Sequence, residues 1–249
     1  MRVSIVTACR NAGDFLENCI RSVLQQTYTD VEYIVIDGGS TDNSMEIIQR
    51  YREHITHFIS EADKGIYDAM NKGIALATGD IVGILNADDF FPQSDILEKV
   101  VCRFAESGAD TLYGDIWYVS RNNTEKAVRK WRSGHFRTER FQWGWMPPHP
   151  SFYVRRHLFE KYGDYDLNFG SAADYELMLR FLYKHKVTAV YLEELIVKMR
   201  TGGISNRSLQ NRFKSNGNDL NAMRKNGIRY PRLAVVLKPL RKIPQLLFR

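Results

Sequence analysis

The chain has 249 residues, of which 44% are hydrophobic and 26% are charged, and this balance excludes a disordered chain, a collagen-like fibre and a coiled coil. No stretch approaches about 18 uninterrupted apolar residues, so we expect no transmembrane helix, and the N-terminus lacks the pattern of a signal peptide. Cys9, Cys19 and Cys102 are odd in number and far apart, which predicts reduced thiols in a cytosolic protein.

The net charge of +6 is unevenly distributed along the chain. Residues 1–194 carry 22 Lys and Arg against 28 Asp and Glu, a net charge of −6, whereas residues 195–249 carry 13 basic residues against one acidic residue, a net charge of +12. Basic tails of this kind bind phosphates or anionic lipid. The sequence therefore predicts a mildly acidic body followed by a basic extension.

The first hundred residues alternate between strand and helix patterns. Short β-branched or apolar runs predict strands at Val3–Ala8, Tyr33–Ile36, Ile55–Ile59 and Ile81–Leu85. Apolar residues at helical spacing predict helices that begin at Asp14, that pass through Ile47 to Tyr51, and that span Tyr67–Ala77. Asp14 and Glu17 have the spacing of a capping box. Strands and helices of this length indicate an α/β protein with a Rossmann-like, mostly parallel sheet and right-handed crossovers.

The pattern changes after about residue 108. Strands are predicted at Thr111–Val119, Ser151–Val154 and Val187–Leu192, and helices at Arg156–Tyr162, Ala172–Lys184 and Ser205–Asn226. Pro231–Arg249 mixes apolar and basic residues, and Pro239 and Pro244 exclude one continuous helix there. We therefore expect one domain at 1–204, with halves at 1–108 and 109–204, and a basic helical extension at 205–249.

Polar residues follow three of the predicted strands, at Thr7–Asn11, Asp37 and Asn86–Asp89. Ligands bind beyond the carboxyl ends of the strands in an open parallel sheet, so these residues predict one binding rim. No glycine-rich phosphate loop of the GxGxxG or GxxxxGK[ST] kind is present. The adjacent carboxylates of Asp88 and Asp89 suit Mg²⁺ or Mn²⁺, which bridges to a substrate diphosphate; the alternative is a solvated turn. Asp37 can accept hydrogen bonds from a base or a sugar hydroxyl.

Three ordered motifs in residues 1–200 resemble the inverting family 2 glycosyltransferases with the GT-A fold. The motifs are VSIVTACRN, EYIVIDGGSTDNS and NKGIALATGDIVGILNADD. Two further stretches, DKGIYDAMNKG and AADYELMLR, resemble the bacterial branch that builds O-antigens, colanic acid and other surface polysaccharides. The resemblance implies a nucleotide-sugar donor, most often a UDP-sugar, and a divalent metal ion. It assigns nucleotide-sugar binding to residues 1–108 and acceptor binding to residues 109–204.

The same resemblance implies roles for individual residues at the rim. Thr7 and Cys9 would meet the uracil ring, Asp37 the base, Asp88 the ribose, and Asp89 the metal ion and the diphosphate. Asn86 replaces the first Asp of the family's DADD pattern, so the metal ion would rest on the later pair. Asp63 and Lys64 match a loop that closes over the nucleotide, although a solvated pair before a helix is an equal alternative.

An inverting transfer also needs a carboxylate that takes the proton of the acceptor hydroxyl. Asp174 matches the Asp of the family's ED motif, whose first position is Ala173 here. A cap of the helix is the alternative for Asp174, and Glu176 is the rival base. His149 is a candidate for the acceptor site or a structural residue. Five aromatic residues form either a sugar platform or a core under a loop: Trp131, Phe136, Phe141, Trp143 and Trp145.

These features predict a metal-dependent glycosyltransferase (EC 2.4) that moves a sugar from a nucleotide-sugar to a saccharide acceptor. A sugar-nucleotide nucleotidyltransferase is the alternative of similar fold, but TACRNAG does not supply its GxGxRxxP signature. A basic nucleic-acid-binding protein is the alternative from another class. The acidic rim and the lack of a basic surplus in residues 1–194 disfavour it, so we expect no nucleic-acid partner.

The C-terminal segment predicts a peripheral membrane protein. Pro231–Arg249 alternates apolar clusters with Lys238, Arg241, Lys242 and Arg249, a composition typical of interfacial segments. Acceptors in the resembled branch are commonly sugars on a polyprenyl diphosphate carrier, so we expect docking on the cytoplasmic face of the membrane. The alternative is that this segment packs on the rest of the protein.

Overall fold

The structure, a computed structural model, describes residues 1–202 and 209–241, with side chains from residue 216 onward in the second range. Its strands are β1 (Val3–Cys9), β2 (Val31–Asp37), β3 (His57–Ser60), β4 (Ile81–Ile84), β5 (Asp89–Phe90), β6 (Thr111–Val119), β7 (Ala127–Trp131), β8 (Tyr153–Arg155) and β9 (Ala189–Arg200). Its helices are α1 (Gly13–Leu24), α2 (Ser44–Arg50), α3 (Ile66–Leu76), α4 (Ile96–Ser107), α5 (His157–Tyr162), α6 (Ala173–Met178), α7 (Leu209–Lys225) and α8 (Pro231–Leu240). A π-helical turn, Leu179–Lys184, continues α6.

The strands form one mixed sheet with the order β3-β2-β1-β4-β8-β6-β9-β5, and β7 pairs with β6. The first four strands of this order are parallel to one another, as predicted. β1 is buried along its whole length, which explains its continuous apolar sequence. β8 runs antiparallel to β4 and β6, whereas β9 is parallel to β6.

Helices cover both faces of the sheet, and alternate residues of β1 serve the two resulting cores. Val3 and Ile5 pack with side chains of α1, α2 and α4. Val6 and Ala8 pack with side chains of α3, α5, α6, α7 and α8. Gly73 lets α3 approach β1 closely, because a Cβ at this position would lie 2.2 Å from Val6 Cγ1. This arrangement, with a layer of helices on each face of the sheet, is the packing expected of a parallel α/β sheet.

Several local predictions differ from the structure. Helix α1 begins at Gly13 and no side chain caps it, so the capping box of Asp14 and Glu17 is wrong. The Gly13 N–H instead donates to Asp42 Oδ2 over 3.0 Å, and Glu17 accepts a hydrogen bond from the Tyr51 hydroxyl at 2.8 Å. The sequence pattern did not predict α4, β5 or β7, and β9 extends well beyond its predicted end.

The C-terminal helices belong to the same core as the rest of the chain. Four side chains of α7, α8 and the segment that joins them are each at most 4% exposed: Ala222, Met223, Ile228 and Ala234. In the described residues, the extension predicted at 205–249 therefore packs on the body. Helix α8 ends one residue after Pro239, while Ser205 and Pro244 lie outside the described residues. No helix within 1–202 and 209–241 has the length and hydrophobicity needed to cross a bilayer.

Candidate active site

The sheet brings the predicted rim residues together. Cys9 at the end of β1 is paired with Asp37 at the end of β2, and Asp37 is paired with Ser60 at the end of β3. β4 lies on the other side of β1 and leads into the turn Asn86–Asp89. The carboxyl ends of four parallel strands thus form one edge, as expected for a ligand site.

Asp37 is fully buried and its acceptor positions are filled by the protein. Ser40 donates both its N–H and its hydroxyl to this carboxylate, the Ser60 hydroxyl donates over 2.7 Å, and the Cys9 thiol lies 3.6 Å away. A carboxylate offers about four acceptor positions. Burial alone would raise the pKa of Asp37, but these hydrogen bonds outweigh it and lower the pKa. A direct hydrogen bond to a base would require one of these donors to move.

Replacing Asp37 with Asn tests this arrangement. We expect Asp37→Asn to lower the free energy of unfolding by about 1–3 kcal/mol at pH 7, because buried donors lose their acceptor. Folding lowers the pKa of Asp37 from its ordinary value of 3.8. The ionised Asp37 therefore stabilises the folded protein at pH values above 3.8, and this stabilisation is lost as the pH falls through the pKa of the folded state. Urea unfolding at pH 7 and pH 3 measures the difference in the free energy of unfolding between wild type and Asp37→Asn. An equal difference at both pH values would contradict the prediction.

Thr7 and Cys9 have little surface to offer a ligand. Thr7 is fully buried and accepts a hydrogen bond from the Tyr33 hydroxyl at 3.2 Å, with Cys19 Sγ 3.8 Å away. Burial, followed by the Asp37 charge, raises the pKa of the Cys9 thiol, which stays protonated at neutral pH. The structure thus gives both side chains interior contacts. The predicted contact of Thr7 with a base finds no exposed atom in this conformation.

The loop after β3 lies beside the end of β2. A Cβ on Gly38 would come within 2.7 Å of Asp63 Oδ2, so the Asp63 carboxylate adjoins the rim. Lys72 Nζ of α3 holds the loop through Asp63 at 2.5 Å and Glu61 at 2.7 Å. Lys64 is exposed next to Asp63. The two loop residues predicted to cover a nucleotide are therefore at the rim, one anchored and one exposed.

The turn Asn86–Asp89 contains two carboxylates in different environments. Asp88 is half-buried, whereas Asp89 is fully buried and accepts a hydrogen bond from Asn86 Nδ2 at 3.0 Å. Asn86 Oδ1 and Asp89 Oδ1 are buried without a hydrogen-bond partner. Burial, and then the adjacent Asp88 charge, raises the pKa of Asp89 well above its usual range. The turn therefore concentrates oxygen acceptors that lack donors.

Arg200 at the end of β9 supports this turn, and the sequence analysis did not single it out. Its guanidinium donates to the Asp88 carbonyl and to Asn18 Oδ1, each over 2.7 Å. It also lies over the rings of Phe15 and Phe90, 5.0 and 4.7 Å from their centroids. The pairing of β5 with β9 brings Arg200 there. An arginine at the end of an apolar run was the only signal in the sequence.

The donor set of the turn fits a hard divalent cation. Asn86, Asp88 and Asp89 present oxygen atoms, two of them unpartnered and buried, and Mg²⁺ and Mn²⁺ prefer oxygen ligands. Within the described ranges, no three His, Cys, Asp or Glu residues form a complete metal cluster. Such cations commonly take further ligands from substrate phosphates and water. Asp88 is partly exposed whereas Asp89 is fully buried, and the division of roles between them stays a prediction.

Asp174 and Glu176 begin the same helix but differ in their surroundings. Asp174 is half-buried, and its Oδ1 accepts the Tyr175 N–H at 2.8 Å. Glu176 is fully buried and binds Arg180 at 3.0 Å and Lys225 at 3.3 Å. Because Glu176 has no exposed surface, a substrate hydroxyl cannot reach its carboxylate in this structure. The geometry therefore favours Asp174 over Glu176 as the base.

Tyr118 of β6 lies within electrostatic reach of both halves of the site. Burial raises the pKa of its hydroxyl and the Arg129 guanidinium, 3.8 Å from the ring centroid, opposes this. The carboxylates of Asp89 and Asp174 each raise the pKa further. Both carboxylates therefore disfavour the ionised form of the Tyr118 hydroxyl.

Tyrosine and histidine side chains surround Asp174. Burial, and then Asp174, raises the pKa of Tyr67. Tyr67 packs against Tyr165 with ring centroids 5.2 Å apart, and the Tyr165 hydroxyl lies 2.8 Å from His149 Nε2. Burial lowers the pKa of His149, although Asp174 opposes this shift. His149 is therefore neutral beside the candidate base.

The aromatic residues of the second half do not form one platform. Phe141 is fully buried and Trp145 is 8% exposed, with ring centroids 5.5 Å apart, and Phe136 packs on both. These three form the core under a loop. Trp143 is 48% exposed, whereas Trp131 lies in β7 on the other core.

Comparison with known proteins gives the family. The model of the family described as Glycosyl transferase family 2 matches residues 4–163. A PGL/p-HBAD biosynthesis glycosyltransferase of Mycobacterium bovis is 30% identical over 215 residues, which cover 84% of this chain and 81% of that protein.

Solved structures show the same fold. TarS 1–349 of S. aureus in complex with UDP matches 98% of this chain and 72% of its own, with a TM-score of 0.70 and 15% identity. The mannosyltransferase PcManGT of Pyrobaculum calidifontis, in complex with GDP-Man and Mn²⁺, matches 99% of this chain and 73% of its own, with a TM-score of 0.66 and 17% identity. The predicted fold class, an α/β GT-A fold with a mostly parallel sheet, is confirmed. The chain belongs to glycosyl transferase family 2 and is a glycosyltransferase (EC 2.4) with a GT-A-like fold.

Proposed function

We propose that the chain transfers a sugar from a UDP-sugar to a hydroxyl group of a saccharide acceptor, with inversion at the anomeric carbon. The proposal rests on the turn Asn86–Asp89, in which Asn86 Oδ1 and Asp89 Oδ1 are buried without a hydrogen-bond partner. Its second part is the half-buried carboxylate of Asp174, which lies near the start of a separate element, α6. Inverting transfer needs these two parts on opposite sides of the anomeric carbon.

In this proposal Asp174 is the general base. It takes the proton of the acceptor hydroxyl as the hydroxyl oxygen attacks the anomeric carbon. The bond from that carbon to the diphosphate oxygen breaks, and the nucleoside diphosphate leaves with the electron pair. The Tyr175 N–H binds Asp174 Oδ1, which orients the carboxylate and leaves Oδ2 for the acceptor. The neighbouring Tyr67 and neutral His149 keep the base in a partly desolvated environment.

At the rim we propose that Asp88 holds Mg²⁺ or Mn²⁺, with Asp89 and Asn86 behind it. The cation, when bound, neutralises charge on the diphosphate leaving group. Arg200 holds the Asp88 carbonyl and so fixes the turn. We assign nucleotide binding to the rim built by Thr7, Cys9 and Asp37, with Asp63 and Lys64 closing over it. Their interior hydrogen bonds support a shaping role more than direct contact for the first three.

For the pathway we propose synthesis of a cell-surface polysaccharide. The DKGIYDAMNKG and AADYELMLR stretches support this branch, and the basic C-terminal region supports an acceptor on a polyprenyl diphosphate carrier at the cytoplasmic face of the membrane. A second candidate acceptor class comes from the mycobacterial relative, which is named for PGL/p-HBAD biosynthesis.

A donor panel tests the proposed reaction. The full chain is incubated with individual UDP- and GDP-sugars, Mg²⁺ or Mn²⁺ and oligosaccharide acceptors, and nucleotide release is measured. We expect UDP release from one UDP-sugar that increases when the acceptor is added. Anomeric analysis of the product should show inversion. Release from GDP-sugars alone would contradict the UDP assignment, and retention of configuration would contradict the single-displacement mechanism.

A further inference from the structure

Helix α8 exposes an apolar stripe on one face. Four large side chains between 45% and 62% exposed make up this stripe: Tyr230, Leu233, Val236 and Leu240. Leu233, Val236 and Leu240 are three or four residues apart, which places them on one side of α8, and Tyr230 directly precedes the helix. Large apolar side chains that are exposed as a contiguous group mark an interaction surface.

The opposite face of α8 is firmly attached to the domain. Lys238 Nζ lies 2.7 Å from Asp219 Oδ2 and 3.7 Å from the ring centroid of Tyr175. Arg241 Nε donates to the Trp143 carbonyl over 2.9 Å. A Cβ on Gly144 would lie 2.5 Å from the Ala234 carbonyl oxygen, so the backbone at Gly144 packs directly against the backbone of α8. The exposed stripe therefore has a fixed orientation.

Three arginines stand beside the stripe, at the corner where α7 turns into α8. Arg224, Arg229 and Arg232 are exposed and, together with Tyr230, Pro231 and Leu233, they line an open cavity of about 370 Å³. Among the residues that the structure describes, no carboxylate lies within ion-pairing distance of these three arginines. We name Arg224, Arg229 and Arg232 the arginine corner. A cavity with cationic and apolar walls suits an anionic group attached to an apolar chain.

We propose that the arginine corner binds the phosphate headgroups of anionic lipids while the apolar stripe of α8 enters the interfacial region of the bilayer. This proposal names the surface that binds the membrane in the proposed function. It rests on the proposed function only for the identity of the acceptor. Charge complementarity selects the lipid surface, since no acidic residue follows Asp219 in the sequence and cationic segments are drawn to anionic leaflets.

The proposal changes which basic residues face the membrane. The sequence pattern assigned Lys238 and Arg241 to the lipid surface, whereas in the structure both bind the domain. Arg224 and Arg229 lie outside the segment 231–249 and take their place. A deletion of 231–249 would also remove the buried Ala234, so point substitutions are the sharper test.

The experiment compares full-length variants for sedimentation with vesicles of phosphatidylcholine alone or with 30% phosphatidylglycerol. One variant replaces the arginine corner with Gln, and a second is Leu233→Ser with Val236→Ser. The control replaces the exposed Arg2, Arg21 and Arg50 with Gln. We expect wild type and control to bind only the anionic vesicles, with salt-dependent binding. The arginine variant should bind about 10²-fold more weakly, and the serine variant should also bind more weakly.

Circular dichroism and thermal unfolding confirm that each variant is folded. Wild-type binding to both vesicle types, or equal binding by the two test variants and wild type, would overturn the proposal. A wild-type dimer that the serine variant dissociates would assign the stripe to a second copy of the chain, and a preference for RNA over vesicles would assign the corner to nucleic acid. Nucleotide release with a soluble acceptor should be the same in all variants. Loss of vesicle binding without loss of release separates this proposal from the proposed function.

Discussion

Asp174→Asn is expected to lower turnover by about 10²-fold or more while donor binding stays intact, because the amide keeps the shape of the side chain but cannot accept the proton. The Tyr175 N–H still finds an oxygen acceptor at this position, so the first turn of α6 should be preserved. Steady-state nucleotide release gives turnover, and calorimetric titration with the donor gives its dissociation constant. Normal turnover in Asp174→Asn would exclude this residue as the base.

Glu176→Gln is the matched control for this result. Glu176 is fully buried and pairs with the largely buried Arg180 and the exposed Lys225. Leaving the largely buried Arg180 without its carboxylate costs up to about 3–5 kcal/mol of stability. We expect a lower midpoint of thermal unfolding but near-normal turnover per folded molecule. The opposite pattern, with full stability and lost turnover, would make Glu176 the base.

Asp88→Asn is expected to reduce transfer by about 10²-fold or more, as is typical when stabilisation of transition-state charge is removed. Chelation by EDTA should abolish the activity of wild type, and added Mg²⁺ or Mn²⁺ should restore it. The half-buried Asp88 is the carboxylate of the turn that a ligand can reach. Activity is measured across a metal titration, in which the variant should need a higher metal concentration than wild type.

Asp89→Asn separates the two carboxylates of the turn. Asp89 is fully buried and bound to Asn86, so we expect a smaller change in the metal requirement than for Asp88→Asn. The exposed Asp30 supplies a neutral control as Asp30→Asn. Full activity of wild type in EDTA would refute the metal assignment, and a larger metal effect for Asp89→Asn would restore the division predicted from the sequence.

Two strands were predicted well. Thr111–Val119 has the same bounds in prediction and structure although its second half is partly exposed. β1 differs by a single residue, because its fully buried run of apolar and β-branched residues is sufficient to define the strand. β9 was predicted to end at Leu192 but continues to Arg200. Its second half follows Glu193 and Glu194, where the register with β6 shifts. Only pairing with the distant strands β5 and β6 keeps the chain extended beyond Glu193 and Glu194.

The candidate site was predictable in its residue types but not in their environments. Asp37, Asp88 and Asp174 were predicted from their motifs, and the structure brings the strand ends that carry Asp37 and Asp88 to one edge of the sheet. The filled acceptor positions of Asp37 depend on Ser60, 23 residues away, and the support of the Asp88 carbonyl depends on Arg200, 112 residues away. Contacts at such separations leave no periodic pattern in a sequence.

The attachment of α7 and α8 to the core has a consequence for protein synthesis. Tyr175, next to the proposed base, is covered by Lys238 of α8, and Ala222, Met223 and Ala234 fill the same core. Synthesis proceeds at roughly 5–20 residues per second, so α7 and α8 emerge from the ribosome after the donor rim and after α6. Until α7 and α8 have emerged, the helix that carries Asp174 lacks the cover that they provide. Chains that stop early should therefore expose apolar surface to chaperones and proteases, and they should not yield a partly active transferase.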